Sequence, residues 1–269
     1  MLRWLLVLVL LAAGAALAAG AVYVLREDGP EELLPDLDQA VPSELAIVQA
    51  GDTYRLTFAS AVDNLGRGPL LIEGERSGPA EPAMSVQQLV RRTDGTTRER
   101  EVEGEMRYVE SETHAHWHLL DFDRYELRRP DDGALVGRDV KTGFCLGDRY
   151  ETDPRTRLEG EPEEPVWTEQ CGRDRPGLLS VREGISPGYG DDYVPELEGQ
   201  YVDVTQVPAG RYVLVHRANP ERALEESDYA NNAASVLLQL RRTTGEVPTI
   251  RVLARCPDRD RCARRSSRR

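Results

Sequence analysis

Apolar and polar positions alternate in short runs along most of this chain, the period-two signature of strands with one buried face. Residues 54–62, Tyr-Arg-Leu-Thr-Phe-Ala-Ser-Ala-Val, carry it most clearly and run into the turn cluster Asp63-Asn64-Leu65-Gly66-Arg67-Gly68-Pro69. Further strands are expected over 84–90, 106–109 and 114–127, the last with a break near Asp121. Pro130-Asp131-Asp132-Gly133 has the residues of a hairpin turn, with 134–140 as its return strand. Residues 149–192 are rich in Gly, Pro, Asp and Glu and show little periodicity. They are expected to form a long irregular excursion, of the kind that often carries function. Order returns at 200–205, 211–217 and 234–240. Numerous short strands, with no convincing amphipathic helix after the N-terminal segment, predict an all-β fold: an antiparallel β-sandwich with long irregular loops.

The N-terminus departs from this pattern. Residues 4–25 form one uninterrupted apolar run of 22. At about 1.5 Å per residue a helix of that length spans a hydrocarbon core of roughly 30 Å. An uncleaved transmembrane helix is favoured over a signal peptide, although Ala16-Leu17-Ala18 could serve a signal peptidase. Arg3 before the run leaves the remainder of the chain outside the membrane. The expected organisation is a membrane anchor or signal over 1–25, an acidic linker over 26–33, a β domain over 34–241 and an arginine-rich tail over 242–269. The tail is expected to be disordered beyond a small cysteine loop. The domain would then lie at the cell membrane facing the exterior, or be secreted if the segment is cleaved.

Charge and cysteine content agree with an exterior location. A net charge of −13 argues against nucleic acid as a partner and suits cationic ones. The four cysteines fit an oxidising compartment. Cys256 with Cys262, leaving Cys145 with Cys171, is the preferred of three possible connectivities.

Two residue choices carry chemistry. His114, His116 and His118 recur at every second position, so on a strand they share a face while Ala115 and Trp117 point the other way. Imidazoles gathered like this suit copper, zinc, iron or nickel. The alternative is a solvated or stacked row. His216, in a different strand pattern, reads as an ordinary histidine. Lys141 is the only lysine among 34 cationic residues, the rest being arginine. Arginine replaces lysine on most surfaces but cannot supply a neutral amine nucleophile. A retained lysine therefore suggests a chemical role, against the alternative of codon bias.

Several segments then occur in a telling order. His114-Ala-His-Trp-His118 is followed by Val140-Lys-Thr-Gly-Phe-Cys-Leu-Gly-Asp148 and Gly184-Ile-Ser-Pro-Gly188 with Asp192-Tyr193. Next come Gln200-Tyr-Val-Asp-Val-Thr205, Pro208-Ala-Gly-Arg-Tyr-Val-Leu214 and Glu226-Ser-Asp-Tyr-Ala-Asn-Asn232. Together, over about residues 35–240, they resemble the catalytic domain of the lysyl oxidase family. The resemblance implies copper on His114, His116 and His118, and a lysine tyrosylquinone cofactor made from Lys141 and Tyr193. It implies oxidation of primary amines, in lysine-containing proteins or peptides or as small molecules, to aldehydes, with O2 consumed and ammonia and hydrogen peroxide released. Asp121, three residues beyond His118, is a candidate for the base that removes the substrate α-proton; a solvated turn aspartate is the alternative. The resemblance also implies a calcium site from Asp36, Leu37, Glu226, Asp228, Asn231 and Asn232, against the alternative of turn capping. Vertebrate members carry more cysteines here, a His and a Cys where this chain has Ser111 and Thr113, and a Trp where it has Tyr201. The reduced set fits a bacterial-type member. Two other readings compete: a β-sandwich adhesion module that needs neither Lys141 nor the histidines, and a zinc hydrolase that leaves Lys141 without work.

Overall fold

The computed structural model describes residues 29–111, 115–139, 141, 143–153 and 156–263. The expected anchor over 1–25 lies outside them; among the described residues, no helix is long and apolar enough to cross a membrane. The described chain is all-β, and its strands pair antiparallel in three sheets.

The strand Thr53–Asn64 explains why there are three sheets and not the two layers of a sandwich. Its inward positions Leu56, Phe58, Ser60, Val62 and Asn64 are buried in strict alternation, as its sequence pattern predicts. Being 12 residues long, it pairs with different partners along its length. Ser43–Ala50 and Tyr201–Asp203 flank its first half, Leu37–Gln39 and Tyr189–Tyr193 its second. Tyr189–Tyr193, expected within the irregular excursion, is thus recruited into a third sheet.

In the largest sheet Ala115–Leu120 lies between Thr97–Glu110 and the two-residue strand Gly143–Phe144. The sheet continues through Ala83–Arg92 and Leu70–Glu75 to Ser180–Ile185. In the remaining sheet Gly210–Ala218 pairs with Asp123–Arg128 and Ala233–Arg241. The three sheets enclose one core that includes Phe58, Trp117, Tyr125, Phe144 and Tyr193.

The expected irregular tail needs correction. Thr249–Cys256 forms a strand on Ala233–Arg241. Its Leu253, Ala254 and Cys256 pack against a second small core, which Val213, Val215 and Leu237 of the neighbouring strands form with Cys262. Both central strands are buried almost throughout, so an apolar outer face demanded a cover. The excursion over 149–192 is also more ordered than its composition suggests. It contains Tyr150–Glu151, Ser180–Ile185 and Tyr189–Tyr193, and the buried Asp148 carboxylate ties it down. That carboxylate accepts from the backbone N–H of Val166 at 2.8 Å and of Trp167 at 3.1 Å, and from Ser186 N–H at 2.7 Å and Ser186 Oγ at 2.9 Å.

Candidate active site

For His116 and His118 the strand delivers what period-two spacing promised. The rings of His116 and His118 lie 4.6 Å apart between centroids, side by side on one face. Trp117, on the other face, is fully buried. His114 lies outside the described residues. His118 is itself buried, and the neighbouring backbone is fitted to it: a Cβ on Gly143 would fall 2.7 Å from both its Cβ and its Nδ1. Adjacent imidazoles are a donor set that fits copper.

Pairing of Gly143–Phe144 with Leu119–Leu120 brings the lone lysine to a cavity that it lines together with His118. Lys141 Nζ lies 5.0 Å from the centroid of the Phe144 ring and 5.3 Å from that of Tyr193. Tyr193 arrives from the third sheet, paired with Ser60, and meets Phe144 edge-on at 5.1 Å. Residues separated by 52 positions in sequence (193 less 141) are thus brought together around the Phe144 ring. Burial lowers the Lys141 pKa below its ordinary value, opposed by the carboxylates of Asp191, Asp139 and Glu198. A larger share of neutral amine results. Gly199 closes against the Lys141 backbone, where a Cβ would come within 3.0 Å of Lys141 Cα; its φ of +77° also suits glycine.

Outside this pair a cavity of 470 Å³ opens to solvent. Lys141, His118 and Gly143 line it, together with Arg55, Glu196 and Glu198 among others. Such a volume accommodates an extended alkylamine side chain.

Sequence reasoning missed Asp191. It shares a strand face with Tyr193, whose hydroxyl donates to Asp191 Oδ2. Arg149 Nε donates to the other oxygen at 3.3 Å. Burial pushes the Asp191 pKa up to about 7, against the lowering effects of the Tyr193 hydrogen bond and Arg149. Beside it Glu183 is also fully enclosed, and burial pushes its pKa well above the usual range. The available signal was the spacing of two positions between Asp191 and Tyr193 on a short strand. Asp121 is placed elsewhere. It is exposed in the turn after Ala115–Leu120, with φ 58°, and lines a separate cavity with Arg100, Glu103, Glu221 and Arg222. The structure does not bring it to Lys141 and Tyr193.

The oxygen-rich cluster does assemble. Leu37 N–H donates to Glu226 Oε2 at 3.0 Å, and Asn231 Nδ2 donates to Asp36 Oδ1 at 2.9 Å. Asn219 and Asn232 donate to Glu226 Oε1 at 2.6 and 2.7 Å. Burial raises the Glu226 pKa to about 7. The side-chain oxygens of Asn231 and Asn232 are buried with no hydrogen-bond partner among the described residues. A buried carboxylate beside two unused amide oxygens fits a hard cation. Asp228 is exposed and caps its own turn, accepting from Ala230 N–H at 2.8 Å.

The preferred cysteine pairing forms, Cys145 with Cys171 and Cys256 with Cys262. His216 is fully buried between Phe58 and Tyr125, its Nδ1 3.0 Å from Ser60 Oγ. Burial holds its pKa well below the usual value, so it is neutral.

Comparison with known proteins places these residues in context. The family model described as lysyl oxidase matches residues 90–249. Human lysyl oxidase homolog 1 is 32% identical over 120 residues, which is 44% of this chain and 18% of that protein. Protein-lysine 6-oxidase of Rattus norvegicus is 29% identical over 120 residues, 44% of this chain and 25% of that protein. Human lysyl oxidase homolog 3 is 31% identical over 132 residues, 48% of this chain and 15% of that protein. The matched region thus spans no more than a quarter of these relatives.

Proposed function

From a chain that belongs to the lysyl oxidase family, we infer a copper-dependent amine oxidase that acts on primary amines, peptidyl lysine foremost. The overall reaction is R–CH2–NH2 + O2 + H2O → R–CHO + NH3 + H2O2. The observation that carries this reading is the position of the only lysine of the chain, half-buried against Phe144 with its amine 5.3 Å from the Tyr193 ring centroid. His118 lines the same cavity. Neither an adhesion module nor a zinc hydrolase uses that juxtaposition.

His114, His116 and His118 would hold copper, which supplies one-electron chemistry with O2; the quinone cofactor from Lys141 and Tyr193 supplies an electrophilic carbonyl for the substrate amine. Burial keeps a fraction of Lys141 neutral, as bond formation to the tyrosine ring requires. Phe144 confines both reacting side chains. Gly143 and Gly199 let backbone approach His118 and Lys141. Glu196 and Glu198 at the cavity attract a cationic amine. The Glu226 cluster would hold calcium far along the chain from the site, joining the domain start at Leu37 to the turn before Ala233–Arg241. We assign the protein to the outer face of the membrane through residues 4–25, which the paired cysteines support.

The test is mass spectrometry of copper-loaded, oxygen-exposed protein. A peptide joining Lys141 to Tyr193, with peroxide released on addition of a lysine peptide, is the expected result. Linear peptides alone, with no quinone stain, would favour the adhesion module.

A further inference from the structure

Positions 191 and 193 of Tyr189–Tyr193 face the same way, and both side chains are shut off from solvent, Asp191 at 1% exposure and Tyr193 at 6%. The Tyr193 hydroxyl therefore gives its hydrogen to Asp191 Oδ2 inside the protein. Arg149 holds Oδ1, and its Nη2 also donates to the Cys145 carbonyl at 3.4 Å, so the carboxylate is braced from the disulfide side. A phenol yields electrons far more readily once its proton has left. Oxidation of a buried tyrosine thus requires an acceptor on its hydroxyl, and a positioned general base supplies one.

Resting on the amine oxidase reading, we propose that Asp191 is the proton acceptor that activates Tyr193 for cofactor formation. The Tyr193 O–H bond breaks and its electron pair stays on the phenol oxygen. The proton forms a new O–H bond at Asp191 Oδ2. No electron is transferred in this step; the oxidation that follows uses the O2 and copper of the proposed reaction. The negative charge moves from carboxylate to phenolate, so the pair's net charge is constant and no further charge is buried.

The resting proton belongs to Tyr193, since burial holds its pKa well above 10 while Asp191 is near 7. Arg149 favours the ionised carboxylate, and Asp192 and Glu183 oppose it. Lys141 and Tyr150 also face the group. The acceptor is ionised above its pKa, so cofactor formation should accelerate as pH rises through about 7.

The test compares wild type with Asp191→Asn. Both are loaded with copper and exposed to O2, and the Lys141–Tyr193 cross-linked peptide is followed over time alongside copper content and cooperative unfolding. Asp191→Asn should keep its copper and slow cross-linking about 100-fold or more, the usual contribution of a general base. Asp191→Glu should recover part of the rate. Cross-linking of Asp191→Asn at the wild-type rate overturns the proposal and leaves the amine oxidase reading intact. A wild-type protein that never cross-links overturns both. If Asp191→Asn does not fold, Arg149→Gln decides: loss of the guanidinium should raise the pH midpoint of wild-type-like cross-linking, and an unmoved midpoint overturns the proposal.

Discussion

Lys141 is where one side chain decides between readings. Lys141→Arg keeps the charge and a similar length, so a purely structural lysine should tolerate it. We expect a folded, copper-binding variant that forms no cross-link and releases no peroxide from lysine peptides, because a guanidinium offers no neutral primary amine. Wild-type peroxide output would remove Lys141 from the chemistry. His116 carries a parallel expectation. Its ring stands 4.6 Å from that of His118, and truncation would leave the proposed copper under-coordinated. His116→Ala should lower copper content several-fold by elemental analysis, and full copper content would sink the ligand assignment.

At the scale of elements, the short strand Gly143–Phe144 holds Lys141 at the cavity it shares with His118, and the disulfide just beyond it fixes that segment. Cys145–Cys171 spans 26 positions, and Trp117 N–H donates to the Cys171 carbonyl at 2.9 Å, so the bridge ties the loop to the back of the histidine strand. Closing a loop of this length restricts the unfolded chain by about 3–4 kcal/mol. A Cys145→Ser/Cys171→Ser double variant should therefore unfold at distinctly lower urea and cross-link more slowly at equal copper content. Unchanged denaturation midpoint and rate would show that strand pairing alone positions Lys141. The C-terminal strand serves a different element. Ending the chain before residue 249 uncovers Val213, Val215 and Leu237, and dye binding to exposed apolar surface should rise.

The whole molecule combines an acidic surface with several enclosed acids. Burial raises Asp123, Asp139, Asp191 and Glu226 to about 7. Each binds its proton more tightly folded than unfolded, so each adds stability as pH falls from about 7 to the ordinary carboxylate range. Neutral His216 acts oppositely below 6.5, and Lys141, lowered by burial, acts oppositely at higher pH, while Asp38, Asp63 and Glu183 are raised as well and add to the carboxyl side. Metal-free protein should thus resist urea better at pH 5 than at pH 8; the reverse order would show that these carboxyls are not desolvated in solution. The net charge of −13 governs encounters. Oxidation of a lysine-rich polycation should fall with added salt faster than that of a small amine, because screening weakens long-range attraction. Equal salt sensitivity of the two substrates would remove electrostatic steering.

Local chemistry made much of this legible in the sequence. Strand periodicity set the buried face of Thr53–Asn64, every-second-residue spacing put His116 and His118 side by side, and chemical uniqueness marked Lys141. These follow from rules that act over a few residues. Register and partner choice do not. That Tyr193 would meet Phe144, that Asp191 would stand at its phenol, that Asp121, expected to take the substrate α-proton, would line a separate cavity, and that Thr249–Cys256 would return to pair with Ala233–Arg241 depend on the way strands far apart in sequence come together. Strand pairing is driven by backbone hydrogen bonds that are alike at every position. Only the joint burial of the three sheets selects which strands meet, and that selection assembles the site.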